Sequence, residues 1–319
     1  MGAAAGNLIS PGVLFFALGA FAAAVKADIA FPKQIAQTLA IYLMAAIGFK
    51  GGAQLRKSGL EVEAFLALGG GLILGVTLPL IAFAILSRLK KVERVDAASI
   101  AAHYGSVSLV TFGAALAFFE EVGEPTSGYM PAVLALMEAP AIAIGVMLAR
   151  RGSEGAAGGL NALKEALTTS SVLILLGATV IGILLGAEGL DDLNGFFIAP
   201  FAGVLAFFLL DMGALAFSRI GALRQAGPQL IAFALVMPLI SGSIGTIVGT
   251  ALGMQVGDVA LLATLAASAS YIAAPAAMRV AVPEANPGIS LPLVLAVTFP
   301  FNLILGIPLY LEMARMLGG

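Results

Sequence analysis

The chain has 319 residues, 60% hydrophobic and 11% charged, with a formal net charge of -2. A typical soluble domain carries about 25% charged residues, so this composition excludes a water-covered globular surface. The near-zero charge gives no field for nucleic acid, Cys 0 removes disulfides and thiolate metal sites, and Trp 0 leaves Tyr and Phe to form any interfacial belt.

A bilayer is crossed by about 20 apolar residues per helix. The sequence predicts ten such runs, over 8–25, 34–52, 62–86, 97–119, 129–149, 169–187, 196–217, 228–252, 258–279 and 289–314. Lys26, the first basic residue, follows the first run, so the basic start of a cleaved signal peptide is missing. Lys50 closes the second run ahead of Gly51-Gly52 and reads first as a snorkelling side chain. The fourth run is preceded by Asp96, contains His103, and carries Gly105-Ser106-Val107-Ser108 near its middle, with Thr111 following. In the fifth run Glu138 stands beside Pro140. An unpaired carboxylate at that depth costs roughly 2.5 to 3.5 kcal/mol, so Glu138 is either a site group or a partner of the backbone that Pro140 frees.

The only sizeable polar insert follows, at 150–168, and Asp211 in the seventh run has the same two readings as Glu138. The ninth run opens on Asp258 and holds Ser268-Ala269-Ser270, then Tyr271 and Pro275. His103, the only His, reads as a packed neutral imidazole, because a metal site would need Cys or clustered carboxylates beside it.

Basic residues accumulate in cytoplasmic loops, and 12 of the 16 Lys and Arg fall in the odd-numbered loops. Both termini are therefore expected on the non-cytoplasmic side of the plasma (inner) membrane. Asp96 is followed at plus ten and plus twelve by Ser106 and Ser108; Asp258 is followed at the same spacing by Ser268 and Ser270, an offset of 162. Leu55, Arg56 and Gly59 correspond to Leu223, Arg224 and Gly227, and Glu138-Ala139-Pro140 to Thr298-Phe299-Pro300. Two copies of a five-helix unit joined head to tail insert with opposite orientations. The expected fold is an all-α polytopic membrane protein of ten transmembrane helices in two inverted five-helix repeats, 1–150 and 169–319, joined by a cytoplasmic loop at 151–168.

Helices four and nine are expected to break at their serines and cross at the midplane. Irregular backbone at membrane depth lines protein or water. A half-helix N-terminus presents free N–H groups and about half a positive charge, which suit an anion. Gly105, Ser106, Ser108, Ser268, Ala269 and Ser270 are the candidate substrate-binding residues. An isolated Ser-x-Ser is more often a packing element; its repetition at matched positions favours a site.

The chain resembles the sodium-dependent bicarbonate transporters of the SbtA type. The resemblance rests on Ile47-Gly48 with Gly51-Gly52, on Ser218-Arg219-Ile220-Gly221 through Leu223-Arg224, on Ala266-Ala267-Ser268, and on Pro283 with Ala285-Asn286-Pro287. In helix four, Asp96-Ala97, Gly105, Val107, Ser108, Thr111 and Glu120-Glu121 fit the same pattern. It implies ten helices in inverted halves, a substrate-carrying core moving against a gate domain, a homotrimer, and sodium-coupled uptake of bicarbonate. No cofactor is implied beyond a sodium ion, for which Thr111, Ser270 and nearby carbonyls are the candidates, with Glu138 in support. The chain departs from the family at Tyr271, where the family has an acidic residue, and at Lys50, where it has a small hydroxyl residue. Exchange of an anion for a cation near one site leads to the expectation that sodium dependence is weak or absent. The central loop is shorter than in the cyanobacterial members, which argues against control by a PII-like regulatory protein.

Other readings use the same residues. A ten-helix symporter of another anion, such as a carboxylate, would share the architecture. An intramembrane enzyme would use Glu138 and Asp211 as a carboxylate pair, although neither His-Glu-x-x-His nor Gly-x-Ser-x-Gly occurs. A channel would differ by its flux.

Overall fold

A computed structural model of the chain describes Asn7, Lys164 and residues 9–27, 29, 31–59, 61–89, 92–150 and 169–318, and is helical with no strand among them. The connecting loop at 151–168 lies outside the described residues apart from Lys164. Helix α1 is Pro11–Ala24, α2 Lys33–Ser58, α3 Val62–Leu86, α4 Arg94–Gly105, α5 Leu109–Glu121 and α6 Met130–Ala149. Helix α7 is Ser170–Leu193, α8 Phe201–Arg219, α9 Leu223–Ala251, α10 Val256–Ala267 and α11 Ala273–Ala281. The last, α12, is Pro287–Gly318, and it widens into π-helical turns at Val294–Thr298 and Asn302–Gly306. By length and composition six stretches can cross a membrane, the longest of them running through α7, α8 and α9. Large apolar side chains on their outer faces, such as Ile73, Val180, Leu184, Val236 and Ile247, are exposed, as lipid contact requires.

Local signals explain several ends. Ser10 caps α1, accepting from the Val13 N–H at 3.5 Å, and Pro11 at the first helical position loses no hydrogen bond. The matched glycines of the two halves share one conformation: Gly59 closes α2 with φ 83° and Gly227 bends α9 with φ 75°, a region unfavourable to any residue with a Cβ.

Helix α2 lies along α7, and α1 lies along α8. Both contacts are backbone against backbone: a Cβ on Gly52 would strike the Thr179 carbonyl, and one on Gly213 the Phe16 carbonyl. Close approach of this kind replaces the hydrophobic drive that lipid removes. The other helices pack around the two broken ones. Helix α3 contacts α4 and α6, α4 contacts α6, and in the second half α9 contacts α10 and α12, and α10 contacts α12. Every residue from Ala97 to Gly105 and from Gly257 to Ala267 is buried.

The two repeated aspartates tie the halves together from opposite ends. The Asp96 carboxylate accepts from the Asn286 N–H at 2.8 Å, ahead of α12. Asp258 accepts from the Ser127 N–H at 2.7 Å, ahead of α6, and from the Ser127 hydroxyl, the Tyr129 hydroxyl and Gln255. Each Asp therefore fixes the entry to the last helix of the other half.

Candidate functional site

The serine pairs interrupt their helices. After Gly105 the chain turns extended at Ser106 (φ -85°, ψ 163°), and after Ala267 it does the same at Ser268 (φ -74°, ψ 167°). The second serine of each pair accepts from the first turn of the outgoing half-helix: Ser108, the N-cap of α5, from the Thr111 N–H at 3.2 Å, and Ser270, two residues ahead of the N-cap of α11, from the Ala274 N–H at 3.1 Å. This is why α5 and α11 restart there, with their N-termini at the break.

The two breaks are hydrogen-bonded to each other. The Ser108 N–H donates to the Ser268 hydroxyl at 2.9 Å, and that hydroxyl donates to the Leu265 carbonyl at 2.8 Å. The Ser270 N–H donates to the His103 carbonyl at 2.9 Å, and His103 Nδ1 lies 2.6 Å from the Ser270 carbonyl. Since a carbonyl only accepts, Nδ1 carries the proton. His103 is thus a packed side chain that stitches the breaks together, a role its position in the sequence does not announce. It also makes the crossing unequal. By the symmetry of the pattern the Ser270 N–H would meet the Ser106 hydroxyl; the His103 carbonyl takes it instead, and the buried Ser106 hydroxyl has no partner among the described residues.

Beneath the crossing is a cavity of about 30 Å³ lined by Ser108, Glu138, Ser270 and Tyr271, with Met44 of α2 and Leu175 of α7 closing it. The Tyr271 hydroxyl is buried beside Ser108 without a partner at hydrogen-bond geometry among the described residues, and the ring packs edge-on against Phe299 at 5.6 Å. Glu138 is 6% exposed. Thr111 is buried in the first turn of α5, next in sequence to Leu109 and Val110 of the cavity wall but not itself lining it. The structure therefore brings Ser106, Ser108, Ser268, Ala269 and Ser270 to one crossing, with Gly105 at its edge against Pro79 of α3. Glu138 and Tyr271 join it from below. Hydroxyls, carbonyls, helix N-termini and one carboxylate suit a small oxyanion and a hard cation.

Lys50 is elsewhere. Its ammonium pairs with Glu120 at 2.9 Å on the wall of a larger cleft, of about 870 Å³, between α1, α2 and α8 on one side and α5 and α12 on the other. Asp211, on α8, lies against the Phe31 backbone and is not among the residues lining the Glu138 cavity.

Residues 11–315 match the family described as the Na+-dependent bicarbonate transporter superfamily. The chain belongs to that superfamily. No curated protein matches it. Membership in the Na+-dependent bicarbonate transporter superfamily, with the apolar helices, makes this a multi-pass membrane protein and points to transport of a small anion rather than to enzyme chemistry. The sequence reading of this superfamily member named Thr298 only as the repeat counterpart of Glu138 and did not name Tyr104 or Asn302; all three are buried and bonded beside the breaks. Polar groups at membrane depth are the signal that would have found Thr298 and Asn302.

Proposed function

We propose that the protein imports bicarbonate by alternating access, coupled to sodium, with the anion held where the two broken helices cross. The observation that carries this reading is the crossing itself: two half-helix N-termini, a bridging Ser108–Ser268 hydrogen bond, and a buried Ser106 hydroxyl without a partner among the described residues. The positive ends of two half-helices and the Ser106 hydroxyl complement the oxygens of a small anion.

Ten crossings in two inverted halves, 1–150 and 169–319, are part of the proposal. The packing supports it, because the main contacts of one half have counterparts in the other: α2 with α7 against α8 with α1, and α3 with α6 against α9 with α12. On this reading α1, α2, α7 and α8 form the gate and the remaining helices the moving core. The 870 Å³ cleft lies along their boundary, and with basic loops on the cytoplasmic side it opens outward.

Sodium belongs at the Glu138 side. Tyr271 supplies no charge there, but the Glu138 carboxylate lines the same small cavity with Ser108 and Ser270. Lys50 is engaged with Glu120 away from it, which removes the argument for a fixed cation in place of the coupling ion. Uptake of labelled bicarbonate into proteoliposomes, with sodium exchanged for potassium, tests both parts. Uptake that persists without sodium would overturn the coupling, and failure to take up bicarbonate would overturn the whole reading.

A further inference from the structure

Helix α12 touches both breaks. Its prolines Pro292, Pro300 and Pro308 recur every eight residues, and each lacks an N–H and crowds the carbonyl four residues back. Around them the ladder widens: the Phe299 N–H bonds to the Val294 carbonyl and the Ile307 N–H to the Asn302 carbonyl. Such π-turns are rare and concentrate at functional sites. They bear Thr298 and Asn302, both 0% exposed. Thr298 donates to the Ala234 carbonyl at 2.8 Å, so at 2.6 Å the Tyr104 hydroxyl of α4 is the donor to it. Asn302 Nδ2 donates at 2.8 Å to the carbonyl of Ala267, the last residue before the break in α10.

The arrangement around Asn302 is built to hold its amide in one orientation. The Tyr310 hydroxyl lies 2.9 Å from Asn302 Oδ1, which leaves Nδ2 to face Ala267. Two glycines clear the room for this pair. A Cβ on Gly306 would overlap Asn302 Oδ1, and one on Gly242 the Tyr310 ring.

We propose that Asn302 is a positioning residue for the transport site. The carbonyl at the end of a helix is left without an intrahelical donor, and Asn302 takes it up. That fixes the direction in which the chain leaves α10, and with it the placing of Ser268, Ala269 and Ser270 in the crossing. It also withholds the Ala267 carbonyl from any ion, so that the open side of the crossing is the one bearing Glu138. The inference rests on the crossing being the transport site.

The test compares Asn302→Leu, which keeps the volume and removes the donor, with Tyr310→Phe, which keeps Asn302 and frees its amide to turn. Hydrogen exchange is read without ligand in a peptide covering 267–272, and bicarbonate uptake is read in proteoliposomes. Asn302→Leu is expected to speed exchange in that peptide about tenfold and to raise the bicarbonate KM about tenfold with kcat within about threefold, the scale of leaving one buried acceptor unpaired. Exchange at 105–109 stays within about twofold, and Tyr310→Phe gives a smaller change of the same kind. Unchanged exchange at 267–272 in both variants overturns the positioning role, and faster exchange with an unchanged KM overturns its link to the site. If the wild type takes up no bicarbonate, the transport reading fails on its own, and the exchange result still judges the hold on Ala267. If Asn302→Leu does not fold, Tyr310→Phe decides by the same two readouts.

Discussion

The backbone N–H of Ser108 donates to the hydroxyl of Ser268 at 2.9 Å, so residues 160 apart in sequence join the two broken helices at their breaks. Neither helix could be reshaped there without disturbing the other. Ser268→Ala strands the buried Ser108 N–H, at about 1 to 3 kcal/mol. Uptake by this variant is expected to fall about tenfold or more, while Ser106→Ala, which breaks no protein hydrogen bond, reports on the anion alone. The double variant Ser108→Val with Ser270→Val should abolish uptake while remaining folded; near-normal flux from it would refute the site.

Glu138→Gln keeps the shape and removes the ionisable carboxyl group from the small cavity. The half-saturating sodium concentration is expected to rise at least tenfold, a loss of about 1.4 kcal/mol or more. Bicarbonate affinity at saturating sodium should change much less. Uptake titrated against sodium for the two proteins is the measurement; equal sodium curves would exclude Glu138 from coupling.

Lys50 and Glu120 pair at 2.9 Å with side chains 37% and 70% exposed. Exposed pairs contribute about 0 to 1 kcal/mol. Lys50→Gln should therefore leave the sodium dependence of uptake unchanged and shift the maximal rate by less than about fivefold. A variant whose uptake became steeply sodium-dependent would restore the idea of Lys50 as a substitute for the coupling ion.

Gly52 meets the Thr179 carbonyl directly, whereas nothing lies within 4 Å of a Cβ on Gly203. Gly52→Val should push α2 from α7 and destabilise the protein by about 1 to 3 kcal/mol or more. Gly203→Ala should be neutral. Thermal unfolding in detergent distinguishes the two, and equal midpoints would contradict the packing of α2 on α7.

Much of the helix order was legible. Runs predicted at 62–86 and 129–149 coincide with α3 and α6 to within a residue, because uniform apolarity between polar ends leaves little freedom. The breaks were legible as well, since Gly105 and the serine pairs weaken the ladder where hydroxyls can replace it. Lys50 was not placed by the sequence. Its standing where the resembled family has a small hydroxyl residue suggested a position near the site, but the helix face it occupies aims it at Glu120. His103, Thr298 and Asn302 each bond across more than thirty residues of sequence, to Ser270, Tyr104 and Ala267, and no local pattern encodes such a partner.

Composition alone established a membrane chain, because 11% charged residues cannot cover a water-facing surface. The repeated Asp to Ser-x-Ser spacing marked where two helices break, because paired serine hydroxyls compete with the helical ladder for backbone groups. What only the tertiary structure decided is the inequality of the two copies. The His103 carbonyl takes the Ser270 N–H and Asn302 takes the Ala267 carbonyl, which leaves the Ser106 hydroxyl without a partner among the described residues and the cavity on the side of Glu138. Hydrogen bonds between distant segments depend on which helices meet, and that is set by the packing of α4, α10 and α12 together rather than by either repeat alone.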